Sequence, residues 1–567
     1  MSTGEIRKDF RSVGGVLEVG GVRIEILAKL CTTAGGALEP HVSALIHEFL
    51  SSMDSQEPTA LLHLSSQLAG DQRAQEAMDR ARVRKPSSLL DALASILPFV
   101  NEKNMEEVSG KLVGILRGHG GLLTKFNCAW VIQVLVSLLP KQTVEPYTGK
   151  ILAALVHNLH DRNAVLRTVM AKTIGHIMKA AKDSSFQKLG EKITSWYLDK
   201  DDEETLVMCG LVVHYIQEHS ADRGSSHYIW SLPLAFLAMH AKPPSLESKT
   251  EAKNSCDVWR EVWNEGTPGT EIGLKLYATE IVDLIEKFFS SQSWMKKAQA
   301  GRALSSLLLL RDHLNDSQLK KISGLLMESL SGKTWDGKEA ILEATKEFCS
   351  HATGKKEELR RELQLGELVD GMLKECRKNV NMSYKQHCLT HTAVALAACG
   401  SDKFSAFKEL MSPILSQGQM RESNRMEEKG EEENDLEGSI AERENLLVCA
   451  WVAIGKAWLP TSQGAGEDLQ WILEEIKNSL GKSSGKIVGV MRTTLSTLIL
   501  NSLQAKELSA FDQAASLLTE VVSSLTSHLP SKSHDTLMET IQKRLNELED
   551  AEVKLKLEAA LQPLLQG

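Results

Sequence analysis

Residues 146–181 read PYTGKILAALVHNLHDRNAVLRTVMAKTIGHIMKAA and contain one complete folding unit. In the first half, Ile151, Leu152, Leu155, Val156 and Leu159 recur at three-to-four-residue spacing, the stripe of an amphipathic helix. Pro146 stands just ahead of that stripe, where proline is compatible with a helix start. The polar turn His160-Asp161-Arg162-Asn163 interrupts the pattern. A second stripe follows in Val165, Leu166, Val169, Met170, Ile174, Ile177 and Met178. Two such helices bury their apolar faces only by packing on each other and on a neighbouring pair.

The same double stripe recurs outward from this unit. Met105–Arg117 precedes Leu122–Leu139, and Phe186–Leu198 precedes Glu204–Gln217. Leu274–Phe289 precedes Trp294–Leu310, and Leu319–Leu330 precedes Trp335–Cys349. In the last two units the second helix opens on W-x-x-K, as Trp294 to Lys297 and Trp335 to Lys338, 41 residues apart. That spacing lies within the range of about 40 to 47 residues expected of HEAT and armadillo units. Asp161 and Arg167 take positions that an Asp and an Arg often hold in HEAT repeats. There they would cap the turn and link successive repeats in a ladder. The pattern predicts an all-α fold, an α-solenoid of HEAT/armadillo-like helix pairs, with about a dozen pairs along the chain.

Composition agrees. The 567 residues are 42% hydrophobic, 25% charged and only 5% aromatic, so strong helix formers dominate over the aromatic residues that fill β-sandwiches. Pro243-Pro244 and polar residues from Ala241 to Asn254 mark a connector. Ser416–Glu444 is charged and nearly devoid of large apolar side chains, which predicts a disordered acidic loop. The expected organisation is N-terminal helical repeats over 1–82, HEAT-like repeats over 83–240 and a linker over 241–257. The W-x-x-K repeats follow over 258–415, the acidic loop over 416–444 and C-terminal repeats over 445–567. Glycines 14, 15, 20 and 21 interrupt helix near the start, which reads as a start inside a repeat array.

Charge and cysteine usage exclude several function classes. Between Glu427 and Glu444 nine acidic and two basic residues account for most of the net −9, and the rest of the chain is close to neutral. No basic surface is available for a phosphate backbone, so nucleic-acid binding is not expected. The nine cysteines include no C-x-x-C pair and mostly lie in apolar helical patterns, which predicts free buried thiols in a reducing compartment. Met1–Arg11 carries no apolar signal region, and the longest apolar runs are too short to span a bilayer. A cytoplasmic chain with no membrane insertion is expected.

No constellation for catalysis or cofactor binding emerges. Gly332-Lys333-Thr334 and Gly481-Lys482-Ser483 copy the end of a phosphate-binding loop. The required upstream glycine is replaced by Met327 and Ile476, and both strings follow helices rather than strands. His387, Cys388 and His391 share a helical turn, but the third or fourth convergent metal ligand is lacking, and they read as partly buried structural residues. Arg80, Arg82, Arg84 and Lys85 read as a solvated helix end, with nuclear import as the alternative. Ser423 and Ser439 in the acidic loop are candidate phosphorylation sites, with an inert linker as the alternative. The chain is expected to be a binding protein without catalytic, metal or cofactor residues.

A family resemblance is carried by three runs: VWREVWNEGTPGTEIGLKLYATEIV from Val258, SSQSWMKKAQAGRALSSL from Ser290 and LSGKTWDGKEAILEA from Leu330. RVRKPSSLLDALASILPFV (Arg82–Val100) belongs with them. Together they resemble the C-terminal region of the proteasome adaptor and scaffold family, very large HEAT-repeat proteins, over most of the chain from Val83 onward. The family motif comprises Trp294, Lys297, Trp335, Asp336, Gly337 and Lys338, for which a structural role is expected. The resemblance implies a non-enzymatic adaptor without cofactors that binds the 26S proteasome and joins its regulatory and core particles. It also implies a part in quality control and links to the endoplasmic reticulum, endosomes and motor proteins, with some nuclear presence. Family members are much longer, so this chain corresponds to a C-terminal portion, a truncated reading or a shortened paralogue. The competing binding-protein reading is a karyopherin-like transport receptor, also a HEAT solenoid with acidic loops.

Overall fold

A computed structural model describes residues 33–54, 88–118, 121–220, 230–242, 254–310, 313–378, 380–400, 403–419, 433–505 and 509–526, with isolated positions near both ends. Among these residues there is no strand. The helices begin with α1 (Val42–Asp54), α2 (Ser88–Ile96), α3 (Met105–Arg117) and α4 (Leu122–Leu138). They continue with α5 (Lys141–Asn158), α6 (Ala164–Met178), α7 (Asp183–Asp199) and α8 (Glu203–Ser220). Next come α9 (Ser231–Ala238), α10 (Ser255–Gly266), α11 (Thr270–Phe289) and α12 (Trp294–Leu308). Then follow α13 (Asp316–Leu330), α14 (Glu339–Ala352), α15 (Glu357–Glu362) and α16 (Leu365–Arg377). The last are α17 (Met382–Cys399), α18 (Phe404–Gln419), α19 (Glu433–Ala457) and α20 (Ala465–Leu480), then α21 (Gly485–Ala505), α22 (Ser509–Gln513) and α23 (Ala515–Thr526). None of them is long and apolar enough to cross a membrane.

The chain divides into two compact units, residues 1–284 and 285–567. In the first, the second helices of successive pairs, α4, α6, α8 and α10, each pack on the next, while α3 packs on α5 and α5 on α6. The decisive pair is therefore α5 and α6. Leu155, Leu159, Leu166, Met170, Ile174 and Ile177 are wholly buried between it and its neighbours. In the second unit α12, α14, α17, α19 and α21 form one layer in that order. Helices α13, α16, α18 and α20 form the other, and α20 also packs on α22 and α23. Within each unit the second helices thus each meet the equivalent helix one repeat away, which is the packing rule of a solenoid.

Polar side chains repeat the period. The Asn158 amide donates to the Leu116 carbonyl 42 residues back (2.8 Å), and the Thr494 hydroxyl to the Trp451 carbonyl 43 back (3.0 Å). The Leu116 carbonyl lies in the last turn of α3, where a helix leaves its carbonyls without donors, whereas the Trp451 carbonyl, inside α19, takes the hydroxyl as a second donor. The expected ladder forms through Asp161 and Arg167. Lys125 lies 3.9 Å from Asp161, and Arg167 donates to the Asp161 carbonyl (2.9 Å) and pairs with Glu204 one repeat on (3.3 Å). Asp161 braces the turn by accepting from the Asn163 N–H at 3.0 Å. The helix cap itself is Asn163, whose side chain accepts from the Leu166 N–H at 3.0 Å.

Three boundaries differ from the sequence reading. Helix α5 begins at Lys141, so Pro146 lies inside it. The carbonyl that Pro146 leaves without a donor belongs to Gln142, an exposed residue. The second W-x-x-K does not open its helix: Trp335–Lys338 forms the preceding turn and α14 starts at Glu339. Helix α19 starts at Glu433, so its first turns fall in the acidic stretch, whose residues 420–432 lie outside the described residues. So do residues 1–25, residues 243–253 of the connector, the basic cluster Arg80–Lys85 and Ser423; the side chain of Ser439 is likewise not described.

Candidate functional site

The family motif gathers at the turns that start two successive second helices. Ser293 caps α12 by accepting from the Lys296 N–H at 3.4 Å, which puts Trp294 in the first turn, 52% exposed beside the exposed Met295. Between α13 and α14 the chain passes through Gly332 (φ +84°) and Gly337 (φ +99°). The backbone at Gly337 favours glycine, and a Cβ there would stand 2.9 Å from the Ala298 Cβ of α12. This close approach lays Trp335 on Trp294, ring centroids 5.1 Å apart and planes 20° from parallel. Lys297 holds its ammonium 5.1 Å over the Trp294 ring, a cation–π contact at the surface. Asp336 is exposed.

The two motif lysines have opposite fates. Lys297 is part-exposed, whereas Lys338 is fully buried because α14 begins one residue after it and the tight turn aims it inward. Its ammonium donates to the Leu330 carbonyl (2.9 Å) and to Oε1 of Glu375 (2.7 Å), itself only 1% exposed. Three further donors converge on Glu375: the Lys378 ammonium, the Tyr384 hydroxyl (3.2 Å) and the Thr334 hydroxyl (3.3 Å). Burial alone would raise the Glu375 carboxyl, but the hydrogen bonds from Lys338 and Lys378 outweigh it and hold the group below its usual range. Burial pulls Lys338 below the ordinary lysine value against the pull of Glu375. The geometry favours the ionised pair, since every donor around Glu375 stabilises its anion. The network ties the α13–α14 turn to α16 and α17. Its role in the fold is that of a brace, and a cavity of about 350 Å³ lined in part by Leu330, Gly332, Lys374, Glu375 and Lys378 opens beside it.

Of the other sequence candidates, only Gly332-Lys333-Thr334 is drawn into this site. Gly332-Lys333-Thr334 is the loop just described, with the Thr334 hydroxyl engaged by Glu375; Gly481-Lys482-Ser483 joins α20 to α21. His387 and His391 stack with centroids 5.8 Å apart, and burial pushes His391 down to about 4. Cys388 is buried against Cys376. Among the described residues no three His, Cys, Asp or Glu side chains are placed to hold a metal ion. The nine cysteines are free. Glu375 escaped the sequence reading. It follows Lys338 by 37 residues, close to one repeat, and the only signal for it was that a buried basic turn needs an acid one period on.

Comparison with known proteins gives this architecture a family. A family model described as the HEAT-repeat domain of the proteasome adapter and scaffold protein ECM29 matches residues 38–198. The human proteasome adapter and scaffold protein ECM29 is 31% identical over 544 residues, which is 94% of this chain and 29% of that protein. The chain belongs to the ECM29 family. The Drosophila melanogaster proteasome-associated protein ECM29 homolog is 25% identical over 78% of this chain and 23% of its own length. The Saccharomyces cerevisiae proteasome component ECM29 is 24% identical over 58% of this chain and 17% of its own. The chain therefore spans less than a third of these ECM29 relatives. Among solved structures, Kap121p bound to Ste12p covers all of this chain and 59% of its own at 11% identity and a TM-score of 0.41. That likeness is too loose to carry an argument, and the transport-receptor alternative gains nothing from it.

Proposed function

We propose that this chain is a scaffold segment that docks on the 26S proteasome and helps to link its regulatory and core particles, without catalysing a reaction of its own. The observation that carries the reading is the similarity to a proteasome adapter over 94% of the chain, joined to a helix-pair stack in which the buried Lys338–Glu375 network acts as a brace. A solenoid presents a long surface to large partners, which suits an adaptor. The exposed Trp294, backed by Trp335 and flanked by Met295, is the motif's contact point, since half-exposed tryptophans make strong interface anchors. Residence in the cytoplasm and nucleus follows from that partner. Links to the endoplasmic reticulum, endosomes and motor proteins belong to the same proposal and would be read by proximity labelling in cells.

The test is co-migration of the tagged chain with purified 26S proteasome on a native gel at moderate salt. Binding is expected, and Trp294→Ala should weaken it about tenfold, the effect of losing one interface anchor, with the melting temperature unchanged. Failure of folded, monodisperse protein to bind would overturn the reading for this segment. Binding unaffected by Trp294→Ala would move the contact elsewhere on the stack.

A further inference from the structure

The cavity beside the Lys338–Glu375 brace is a cleft between α13 and α16. One wall is a stripe of α16, in which Glu367, Asp370, Gly371, Lys374 and Lys378 recur at three-to-four-residue spacing and so share one helix face. Across from it stand Met327 and Leu330, near the end of α13, and Gly332 in the turn that follows. The brace fixes both walls. Lys338 donates to the Leu330 carbonyl (2.9 Å) and Lys378 to the Gly332 carbonyl (2.5 Å), while both ammonium groups pair with Glu375 of α16. A wall ordered in advance costs little further entropy when something binds to it.

The charges along the stripe are only partly used. Asp370 is met by Lys403, and Lys378 by Glu375. That leaves Glu367 and Lys374, both exposed, without an ion pair among the described residues; Glu367 accepts one hydrogen bond, from the Gln364 amide at 3.3 Å. They stand seven residues apart on α16, about 10 Å along the axis at about 1.5 Å per residue. One turn of a polyproline-II chain, three residues at about 3.1 Å each, covers nearly the same length and brings residues i and i+3 to one edge. A volume of about 350 Å³ equals a cube about 7 Å on edge, too narrow for a helix about 10–12 Å across with its side chains.

We propose that this cleft docks a polyproline-II segment of a partner protein, in which a basic and an acidic residue three positions apart enclose an apolar one. One edge of the segment runs along α16, with its basic residue on Glu367 and its acidic residue on Lys374. A second edge lays the apolar side chain on Met327 and Leu330, and the third faces solvent. Recognition is by charge order as well as by apolar contact, because a segment with like charges at both ends meets repulsion at one of them. The cleft goes beyond the Trp294 contact and does not depend on the proteasome reading.

The experiment is fluorescence polarisation of four labelled peptides against the whole chain. Two carry opposite charges, with cores Pro-Arg-Leu-Leu-Glu-Pro and Pro-Glu-Leu-Leu-Arg-Pro to cover both chain directions. Two carry like charges, with Arg or Glu at both charged positions. One opposite-charge peptide should bind at least about fivefold tighter than either like-charge peptide. Lys374→Glu should reverse that order and make the peptide with two arginines the tightest. The melting temperature should not change, since Lys374 is exposed. Absence of saturable binding by both opposite-charge peptides would overturn the proposal. So would equal binding of all four, or an order that Lys374→Glu leaves unchanged. The native-gel assay reads docking on the proteasome separately, so failure here and failure there are distinct results.

Discussion

At the scale of single residues, the most consequential side chain is Lys338. Its ammonium is out of water, and its stability rests on Glu375 and the Leu330 carbonyl. Removing one member of a buried ion pair leaves the other uncompensated. Lys338→Met should therefore destabilise the chain by about 3 kcal/mol, the low end of the usual range because Lys378 still faces Glu375. The urea midpoint measures this directly. Acid provides a second check. The folded-state carboxyl of Glu375 titrates below its unfolded value, so its contribution is complete above about pH 4.3 and is lost as pH falls through the folded value. The urea midpoint of the wild type should therefore fall more steeply on acidification than that of Glu375→Gln, and parallel acid limbs would contradict the network. The motif lysine was legible in the sequence, but its burial was not. A W-x-x-K string reads the same whether the helix opens at the tryptophan, as in α12, or after the lysine, as in α14.

At the scale of elements, period and order were legible because apolar stripes at helical spacing survive in any solenoid. Helices α6 to α8, α12 and α13 follow those stripes closely. What the stripes do not record is how near two helices come. Gly301 in α12 lies so close to α14 that a Cβ would stand 2.8 Å from the Ala340 carbonyl oxygen. Alanine is the better helix former by about 1 kcal/mol, yet Gly301→Ala should lower stability by about 1–3 kcal/mol, because the contact is with backbone that cannot swing away. A thermal melt distinguishes the two effects by sign. The acidic stretch shows the opposite limit. Charge composition there suggested a loop through Glu444, whereas α19 extends back to Glu433, carried by a helix that is apolar from Leu446 onward. Helix cooperativity lets a buried segment extend into polar sequence that would not fold alone.

At the scale of the molecule, nearest-neighbour packing leaves exposed helix faces along each unit. The family was legible in the sequence only through the runs Arg82–Val100 and those from Val258, Ser290 and Leu330. The spacing of helices alone fits transport receptors as well as proteasome adapters. The central claim is that the stack bridges two bodies of one large assembly. Cross-linking mass spectrometry of the chain bound to purified 26S proteasome tests it most directly. Lysines of this chain should cross-link to subunits of both the regulatory and the core particle. Cross-links confined to one particle would contradict it.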